Sequence, residues 1–466
     1  MLLASAALRL LLLFERPPWF DELFTIWAAR LPLTDLVAAL RLDSGPPGFY
    51  LLVKPFVRVG ERLANGDCLV RAPSFLAALL LFAAARTLPR GSARAWFVLL
   101  LSSSLLVSLY SGEARPYAVL ALLCLTLFLL ALEGKETGSR LCALACAGAL
   151  ALYTHSLAIL AVAALLILAA RARRWRSCLA LAAGAVLFAP WAPVLLAQPA
   201  AAIAWMHEAL GESLIGFLSS LGGVGRVPAP FGPPAPSALF LAGTAAGALS
   251  LLFLLAHARQ DRAVREPAAF VLLVLAGTLA AGLWKPVAFA GRTELAVLPV
   301  WFWGLARAIP ANRALRQISA ASVVLGLSAT LTVVLAAHSP SPPVAVTETI
   351  TRVAGQGDIV VAATGFYLPA RLAREQGRLA AAVEPLAEEL GRHPGWFVPA
   401  LPGPAEERSL ASAAAKVVPG RRLFLVMAPA YATPGLASTL AARGGRAREL
   451  MRSRDALVIL WTKPPG

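Results

Sequence analysis

The chain has 466 residues, of which 59% are hydrophobic and only 14% are charged. This balance excludes an ordinary soluble domain and indicates a polytopic membrane protein. The net charge of +17 does not indicate a nucleic-acid partner, because the basic residues lie in short clusters between apolar runs, where they set membrane orientation. The five cysteines contain no Cys-x-x-Cys pair, so neither a zinc site nor a disulfide framework is indicated.

The first apolar segment, residues 1–14, is shorter than the roughly 20 residues that a spanning helix needs. No small-residue cleavage site precedes Glu15, so we expect a first span that is tilted or starts upstream rather than a signal peptide. The segment 15–71 mixes amphipathic pieces such as 33–40 with a Pro-rich turn at 43–48. This pattern is typical of helices that lie along a membrane surface, and it predicts a long first outer loop with interfacial helices.

Apolar runs of near-spanning length then follow at regular intervals. The runs are 72–88, 95–111, 117–132, 141–154, 157–170, 178–196, 237–256, 268–284, 294–308 and 318–337. Together with the first segment they predict about eleven transmembrane helices.

Basic residues in the connecting loops predict the orientation of these helices. Fifteen Arg and Lys residues lie in five loops: 86–94, 133–140, 171–176, 257–267 and 307–316. Four alternate loops carry only Arg115, Arg226, Lys285 and Arg292: 111–117, 153–157, 197–236 and 285–293. Because positive loops stay in the cytoplasm, the first set is predicted to be cytoplasmic. The alternate loops, the first loop and the C-terminus are then predicted to be extracytoplasmic.

Hydropathy falls after the Pro-rich stretch 339–343, and a soluble pattern begins. Three apolar runs are predicted to be buried strands with helices between them: 358–363, 422–427 and 457–460. The predicted fold class is therefore an α-helical polytopic membrane domain, 1–338, followed by a small extracytoplasmic α/β domain, 339–466. No glycine-rich phosphate-binding motif opens a helix of that domain, so nucleotide binding has no support.

Two adjacent carboxylates, Asp21 and Glu22, lie just beyond the first apolar segment, between aromatic residues that suit a membrane boundary. One interpretation is structural, with both acids in the first turn of an interfacial helix, where anions favour the helix dipole and accept free amide N–H groups. The other is that Asp21 or Glu22 is a catalytic base at a membrane-surface active site. These residues alone leave both interpretations open.

Further charged groups occur at other predicted outer boundaries. Glu113 and Arg115 form either a local ion pair at a helix start or part of a phosphate site. Arg292 either extends to the lipid headgroups or binds a phosphate, and His155 is either a structural hydrogen-bonding residue or part of the site. Acids and arginines on one side of a bilayer suit an anionic lipid-linked substrate, whose leaving phosphate the arginines would neutralise.

Six short motifs occur along the chain in a fixed order: Trp19-Phe20-Asp21-Glu22, Pro46-Pro47-x-x-Tyr50, Arg71-Ala72-Pro73-Ser74, Glu113-Ala114-Arg115-Pro116-Tyr117, Tyr153-Thr154-His155 and Arg292. This order resembles the bacterial GT-C membrane glycosyltransferases of the protein-mannosyltransferase and aminoarabinose-transferase type, over roughly residues 15–300. The resemblance implies inverting transfer from a polyprenyl-phosphate sugar donor to a lipid, glycan or protein acceptor. It also implies a place in the bacterial cytoplasmic membrane with the active site outside.

The resemblance implies roles for individual residues. Asp21 matches the catalytic acid in the first loop of that family, with Glu22 beside it, and Arg292 falls where such proteins hold the donor phosphate. The other implied substrate-binding residues are Tyr50, Glu113, Arg115, Tyr117 and His155. The resemblance does not imply that a cofactor is required. Asp21, Glu22 and Glu113 allow a divalent cation, but no ligand spacing demands one.

Two positions depart from the family pattern. Gly45 stands where His often precedes Pro-Pro, and Gly112 stands where a charged residue often precedes the Glu.

Three other functions stay open. A secondary transporter also has many spans and intramembrane charges, although no paired broken helices occur at matching places in the two halves. A polymerase or ligase of surface polysaccharide would use the same lipid donor. A non-catalytic scaffold would use the outer domain to bind a partner.

Overall fold

The computed structural model describes residues 2–14, 16–63, 66–227, 234–336, 340–395 and 402–463. The helices of this described part are α1 (Leu2–Phe14), α2 (Phe20–Arg30), α3 (Leu33–Arg41), α4 (Gly48–Gly60), α5 (Ala72–Ala83), α6 (Ser92–Ser103), α7 (Leu105–Ser111), α8 (Tyr117–Leu132), α9 (Gly138–Thr154), α10 (Ala158–Arg171), α11 (Trp175–Phe188), α12 (Ala192–Ala197), α13 (Leu210–Leu221), α14 (Ser237–Ala258), α15 (Arg262–Gly282), α16 (Leu298–Ala308), α17 (Arg313–Ala336), α18 (Pro342–Val353), α19 (Tyr367–Glu375), α20 (Glu388–Arg392), α21 (Pro404–Lys416) and α22 (Pro434–Ala441). The strands are β1 (Ile359–Ala362), β2 (Ala382–Pro385), β3 (Arg422–Met427), β4 (Arg446–Arg452) and β5 (Leu457–Thr462).

The chain divides into two compact units. The helical unit comprises Met1–Arg16 and Ser44–Ser339, and the mixed unit comprises Pro17–Asp43 and Pro340–Gly466. Two helices of the predicted first outer loop, α2 and α3, therefore belong to the same compact unit as the C-terminal sheet. The domain boundary predicted at residues 338 and 339 lies outside the described residues, and that division stays a prediction.

Several helices of the helical unit are suited to a membrane. In the described residues, five are long and apolar enough to cross one: Cys68–Thr87, Trp175–Ala197, Ser237–Ala258, Ala263–Gly282 and Arg313–Ala336. A sixth is added if the bent pair α6 and α7 forms one span. Shorter apolar helices are Ser5–Phe14, Tyr117–Leu132, Gly138–Thr154, Ala158–Arg171 and Leu210–Leu221. The chain is thus a multi-pass membrane protein, as its composition predicts, whereas the number of eleven spans is not confirmed.

The predicted span 95–111 is broken at Ser104, where α6 and α7 meet at an angle of 66°. Ser104 has an extended backbone (φ −62°, ψ 120°), which interrupts the helical hydrogen-bond ladder. The amide of Leu105 donates instead to the carbonyl of Gly223 at 3.0 Å. A carbonyl from another segment thereby satisfies an amide that lipid would leave unpaired, which allows a broken helix within a membrane protein.

The predicted outer loop 197–236 contains a helix, α13, that the sequence analysis did not identify. Its twelve residues are mostly apolar but shorter than a span, so its length did not indicate a spanning helix. The helix packs against α14. The description of 197–236 as a loop was therefore wrong for 210–221, and this helix bears on the site below.

The mixed unit is built on a five-stranded sheet of order β2-β1-β3-β5-β4. β1 pairs in parallel with β2 and β3, and β5 pairs antiparallel with β3 and β4. Apolar residues from α18 and α19 cover one face, and residues from α21 and α22 cover the other. The three strands predicted at 358–363, 422–427 and 457–460 are confirmed as β1, β3 and β5.

The two strands that the sequence did not indicate lie at the edges of the sheet. β2 has only four residues, and β4 (Arg-Ala-Arg-Glu-Leu-Met-Arg) is mostly charged and exposed. Edge strands often carry charge, because charge blocks pairing with another chain. They therefore lack the apolar run by which buried strands are recognised.

An ion pair with additional hydrogen bonds joins the start of β1 to β3. The buried carboxylate of Asp358 accepts hydrogen bonds from Nε and Nη2 of Arg422 at 3.1 and 2.7 Å. It also accepts the amides of Gly355 and Arg422 at 2.8 and 2.9 Å. Burial alone raises the pKa of Asp358, but these hydrogen bonds and the Arg422 charge hold it below the ordinary value of 3.8.

We expect Asp358→Asn to lower the free energy of unfolding of the mixed unit by about 1.5–3 kcal/mol at pH 7, because it weakens hydrogen bonds to a charged group. A depressed folded-state pKa means that this stability is present above about pH 4 and is lost as the pH falls through the folded-state pKa. Thermal unfolding of the full chain at pH 7 and near pH 3 measures the effect. Glu388→Gln, which removes an exposed pair with Arg392, is the control and should change little. An equal penalty at both pH values would contradict the assignment.

Candidate functional site

A row of aromatic rings lies at one end of the helical unit. The rings of Tyr110 and Tyr117 are 4.8 Å apart, and those of Tyr117 and His155 are 5.1 Å apart. The Cζ atom of Arg292 lies 5.8 Å from the centroid of the Tyr117 ring and 5.7 Å from that of Phe289. The fold therefore brings together three of the predicted residues, Tyr117, His155 and Arg292, from three separate segments of the chain.

Two guanidinium groups converge on His155, which lies in the turn between α9 and α10. Burial, the largest cause, and the charges of Arg115 and Arg292 together lower the pKa of His155 to about 3. The imidazole is therefore neutral, which agrees with its Nδ1 atom accepting the amide of Leu157 at 3.1 Å. The neutral ring therefore adds no charge of its own beside the two arginines.

The turn that carries Glu113 and Arg115 is held rigidly. The Arg115 amide donates to the Glu113 carbonyl at 2.8 Å, and the Ser74 hydroxyl donates to the Arg115 carbonyl at 3.0 Å. Glu113 is fully buried, and Tyr110 lies within electrostatic range of both Glu113 and Arg292. All five of the predicted residues Glu113, Arg115, Tyr117, His155 and Arg292 thus belong to one cluster, which we call the arginine cluster.

Helix dipoles add positive potential at the arginine cluster. α8 begins at Tyr117, α10 begins three residues after His155, and the first turn of α5 contacts the Arg115 carbonyl through Ser74. α16 begins soon after Arg292. A helix N-terminus carries a partial positive charge and free amide groups, so this end of the unit is suited to an anion.

The Arg-Ala-Pro-Ser motif has a structural role that the sequence did not reveal. Nη1 of the buried Arg71 donates to the carbonyls of Leu12, Leu13 and Arg16 at 3.2, 2.9 and 2.8 Å. These carbonyls lie at the end of α1 and just beyond it, where a helix leaves acceptors unsatisfied. Arg71 therefore caps α1, whereas Ser74 fixes the Arg115 turn.

Local geometry explains both glycines that depart from the family pattern. A Cβ atom at Gly112 would lie 2.6 Å from the Cβ atom of Leu12, so no side chain fits there. Gly45 has φ +90°, which favours glycine, and it exchanges two hydrogen bonds with the Gln198 side chain at 2.8 and 3.3 Å. Both positions are thus used for close packing and turn geometry.

The loop that carries Arg292 is shaped by the neighbouring acid Glu294. Its fully buried carboxylate accepts the Gly291 amide at 2.9 and 3.0 Å through its two oxygens. It also accepts the Ser220 hydroxyl of α13 at 2.8 Å. Glu294 therefore ties the loop to α13 and sets the backbone on which Arg292 lies.

A second acid, Glu208, anchors the same loop from the other side. Its carboxylate accepts the Ala290 amide at 2.9 Å and the Ser213 hydroxyl at 3.0 Å, and it pairs with Arg226. The Ser213 hydroxyl also contacts the Ala288 carbonyl at 2.7 Å. Neither Glu208 nor Glu294 was identified from the sequence as a site residue. In each case the only sequence signal was a carboxylate in a mainly apolar chain.

We expect Glu208→Gln to destabilise the helical unit by about 1.5–3 kcal/mol, because a buried charged acceptor is lost. Glu212→Gln is the matched control. Glu212 also faces Arg226, at 3.6 Å, but its side chain is 63% exposed, so its loss should cost little. Thermal unfolding measures the stability of both variants. Equal effects of the two substitutions would contradict an anchoring role for Glu208.

Asp21 and Glu22 lie in the mixed unit, in the first turn of α2, and both are buried. The Glu22 carboxylate accepts the amide of Trp19 at 3.3 Å, which is the helix-start role anticipated by the structural interpretation. The Asp21 backbone carbonyl accepts the Thr25 hydroxyl at 2.9 Å. The helix start thus accounts for the Glu22 carboxylate through a direct contact.

The mixed unit holds α2 through aromatic and ionic contacts. The ring of His393 lies 5.4 Å from that of Phe24 and 5.9 Å from that of Trp27. Burial lowers the pKa of His393 to about 4, so the ring packs in its neutral form. Arg30 at the end of α2 pairs with Glu375 of α19 at 3.3 Å. The C-terminal domain therefore sets the position of the helix that carries Asp21.

Tyr50, the remaining residue predicted to bind substrate, lies in a helix that contacts the arginine-cluster end of the unit through α9. Tyr50 is buried in the first turn of α4, and α4 packs against α9, which ends next to His155. Among the residues that the structure describes, no three His, Cys, Asp or Glu side chains form a group that could hold a metal ion.

Comparison with known proteins supports the fold. No family model matches the sequence, and no curated protein sequence matches it significantly. The solved structures that match include ArnT from Cupriavidus metallidurans in the apo state and ArnT from the same organism bound to undecaprenyl phosphate. The TM-score is 0.56 for each, with 13% and 14% sequence identity; 98% of this chain and 97% and 96% of the ArnT chains are covered. Identities this low show the fold rather than the activity: the chain has the fold of ArnT, in agreement with the GT-C fold that the order of motifs predicts.

Proposed function

We propose that the protein is an inverting glycosyltransferase that moves a sugar from a polyprenyl-phosphate donor to an acceptor at the outer face of the cytoplasmic membrane. The observation that carries the proposal is the arginine cluster, in which Arg115 and Arg292 converge on neutral His155 at the positive ends of several helices. Such a cluster suits a phosphate, and it occurs in a chain with the GT-C fold.

The proposed task of Arg292 and Arg115 is to hold the donor phosphate. Guanidinium groups bind phosphate oxygens in pairs, and their effect is strongest where water is excluded. As the sugar leaves, negative charge grows on the phosphate, and fixed positive groups stabilise that charge in the transition state. Glu113, Tyr117, His155 and Tyr50 complete the proposed substrate-binding set.

The proposed base is Asp21. The acceptor hydroxyl gives its proton to the Asp21 carboxylate while its oxygen bonds to the anomeric carbon of the sugar. The bond from that carbon to the phosphate oxygen breaks, and its electron pair leaves with the polyprenyl phosphate. A single displacement inverts the anomeric configuration. Because Glu22 already caps the Trp19 amide, its proposed part is to shape the helix start beside the base.

Several features agree with a lipid-linked donor. The similar ArnT structure was crystallised with undecaprenyl phosphate, the carrier that would remain after transfer. The uneven distribution of basic loops supports an extracytoplasmic arginine cluster and mixed unit. The acceptor in this proposal is a lipid, glycan or protein. About eleven spans, and a division into residues 1–338 and 339–466, belong to the same proposal.

The test supplies the purified protein in lipid with a panel of polyprenyl-phosphate sugars and an acceptor extract from the cell envelope. The expected result is loss of one donor with equimolar release of polyprenyl phosphate. A transporter would move a lipid-linked glycan across a sealed vesicle without consuming the donor. A polymerase or ligase would transfer whole chains rather than single sugars. Folded protein that consumes none of the donors would contradict the proposal.

A further inference from the structure

A cavity of about 390 Å³ lies between the end of α10 and the start of α15. α10 begins beside His155, and α15 ends before the loop that carries Arg292, so both helices run away from the arginine cluster. The fourteen residues of α10 rise by about 20 Å. The cavity therefore lies at the opposite end of the helical unit and is separate from the proposed active site.

The lining of this cavity is strongly basic. Three arginines and one carboxylate line the cavity. The lining residues are Leu168, Arg171, Ala172, Arg173, Arg265, Glu266 and Ala269. Nε and Nη2 of Arg265 donate to the carbonyls of Ala258 and Arg259 at 3.0 and 3.2 Å, which fixes the guanidinium. The volume is within the range of cavities that hold small ligands, and the excess of positive charge on the lining favours an anion.

Arg173 occupies a backbone position that normally favours glycine. It has φ +56°, and no other described residue apart from glycines has a positive φ. Its amide donates to the Ala170 carbonyl, and the Arg174 amide donates to the Ala169 carbonyl at 2.8 Å, which is the pattern that ends a helix at a glycine. An arginine here costs stability relative to glycine, and residues held in such conformations cluster at functional sites.

Apolar side chains beside the cavity are exposed in the way expected of lipid contacts. Ile167 on α10 is 55% exposed, and Trp175 at the start of α11 is 61% exposed. Leu272 on α15, one turn from Ala269, is also exposed. Tryptophan favours the boundary between headgroups and acyl chains. Arginines next to such a surface suit a molecule that has an anionic head and apolar chains.

We propose that this cavity binds the phosphate headgroup of an anionic phospholipid, with Arg171, Arg173 and Arg265 around the phosphate and the acyl chains along Ile167 and Leu272. The basic cavity between helices provides paired N–H donors for phosphate oxygens. The site is independent of the proposed transferase activity. It would make the lipid a structural ligand at the end of the helical unit that is remote from the arginine cluster.

The test uses the full chain in nanodiscs of phosphatidylcholine that contain increasing fractions of photoreactive phosphatidylglycerol. Wild type should be labelled saturably in residues 165–176 and 262–272. Arg171→Gln with Arg173→Gln should raise the half-saturating lipid fraction about tenfold or more. Arg259→Gln with Arg313→Gln removes the same charge from exposed arginines outside the cavity and should leave labelling unchanged.

Three outcomes would overturn the proposal. The first is equal loss of labelling in both double variants, which would indicate that phosphatidylglycerol is attracted by the overall positive charge of this end of the helical unit. The second is labelling of wild type elsewhere than beside the cavity, a result that needs no variant to fold. The third is displacement of phosphatidylglycerol by inorganic phosphate at a similar concentration, because that would identify a site for a free anion rather than a lipid.

Discussion

Asp21→Asn should slow sugar transfer by about a hundredfold or more at saturating donor and acceptor, because asparagine cannot accept the proton of the attacking hydroxyl. The substitution nearly preserves the size and shape of the side chain. The ring contacts of Phe24 and Trp27 with His393 do not involve the Asp21 carboxylate. The rate of donor loss measures the effect, and thermal unfolding checks that the variant is folded.

Glu22→Gln is the matched control for Asp21, one residue along the same buried helical turn. The Glu22 carboxylate accepts the Trp19 amide, so its loss should reduce stability by about 1 kcal/mol, as is typical of a lost helix cap, and should reduce the rate much less than Asp21→Asn. Wild-type turnover in Asp21→Asn would show that Asp21 is structural. A greater rate loss in Glu22→Gln would transfer the role of base to Glu22.

Arg292→Gln should reduce kcat/KM for the donor by about 10²–10³-fold, because a fixed charge opposite the leaving phosphate is lost. Arg292→Lys should recover only part of this loss, since lysine supplies the charge without the paired N–H donors. The buried position of Arg292 beside Tyr117 and Phe289 makes its charge effective in a site with little water. Initial rates over a range of donor concentrations measure both variants.

Arg307→Gln provides the control for Arg292. Arg307 lies over the Trp303 ring at 4.4 Å and pairs with Glu133 at 3.0 Å, so it too is an arginine with an aromatic neighbour. It lies at the end of α16, whereas Arg292 precedes the start of that helix. Donor use by Arg307→Gln should be close to that of wild type. A similar loss in both variants would indicate that charge removal disturbs the helical unit in general.

Much of the arginine cluster could be predicted from the sequence. Charged residues in an apolar chain are costly, so Glu113, Arg115 and Arg292 were conspicuous where their spans end. The order of short motifs indicated the GT-C fold, which the ArnT structures confirm at 13% and 14% identity. These signals are local, because each depends on a few adjacent residues and on the hydropathy around them.

The supporting residues could not be predicted, because their roles depend on contacts between distant segments. Glu208 and Ala290 are 82 residues apart, and Ser220 and Glu294 are 74 apart. Arg71 contacts the end of α1 across more than fifty residues. No sequence period links such positions, and α13, which places Ser213 and Ser220, is too short to be recognised as a span.

Which chain segments form the mixed unit could also not be predicted from the sequence. Apolar runs identified β1, β3 and β5, but nothing in 17–43 indicates that α2 and α3 pack with a domain more than three hundred residues later. The pairing depends on Phe24, Trp27 and His393, which come together only in three dimensions. Such long-range packing determines which unit holds the proposed base.

The most direct test of the proposed transfer reaction is the anomeric configuration of the product. Wild-type protein in lipid is incubated with one polyprenyl-phosphate sugar of known configuration that it consumes, and nuclear magnetic resonance identifies the new glycosidic bond. Single displacement predicts an inverted configuration and one polyprenyl phosphate released for each sugar transferred. A retained configuration, or a donor that crosses the membrane intact, would contradict the account.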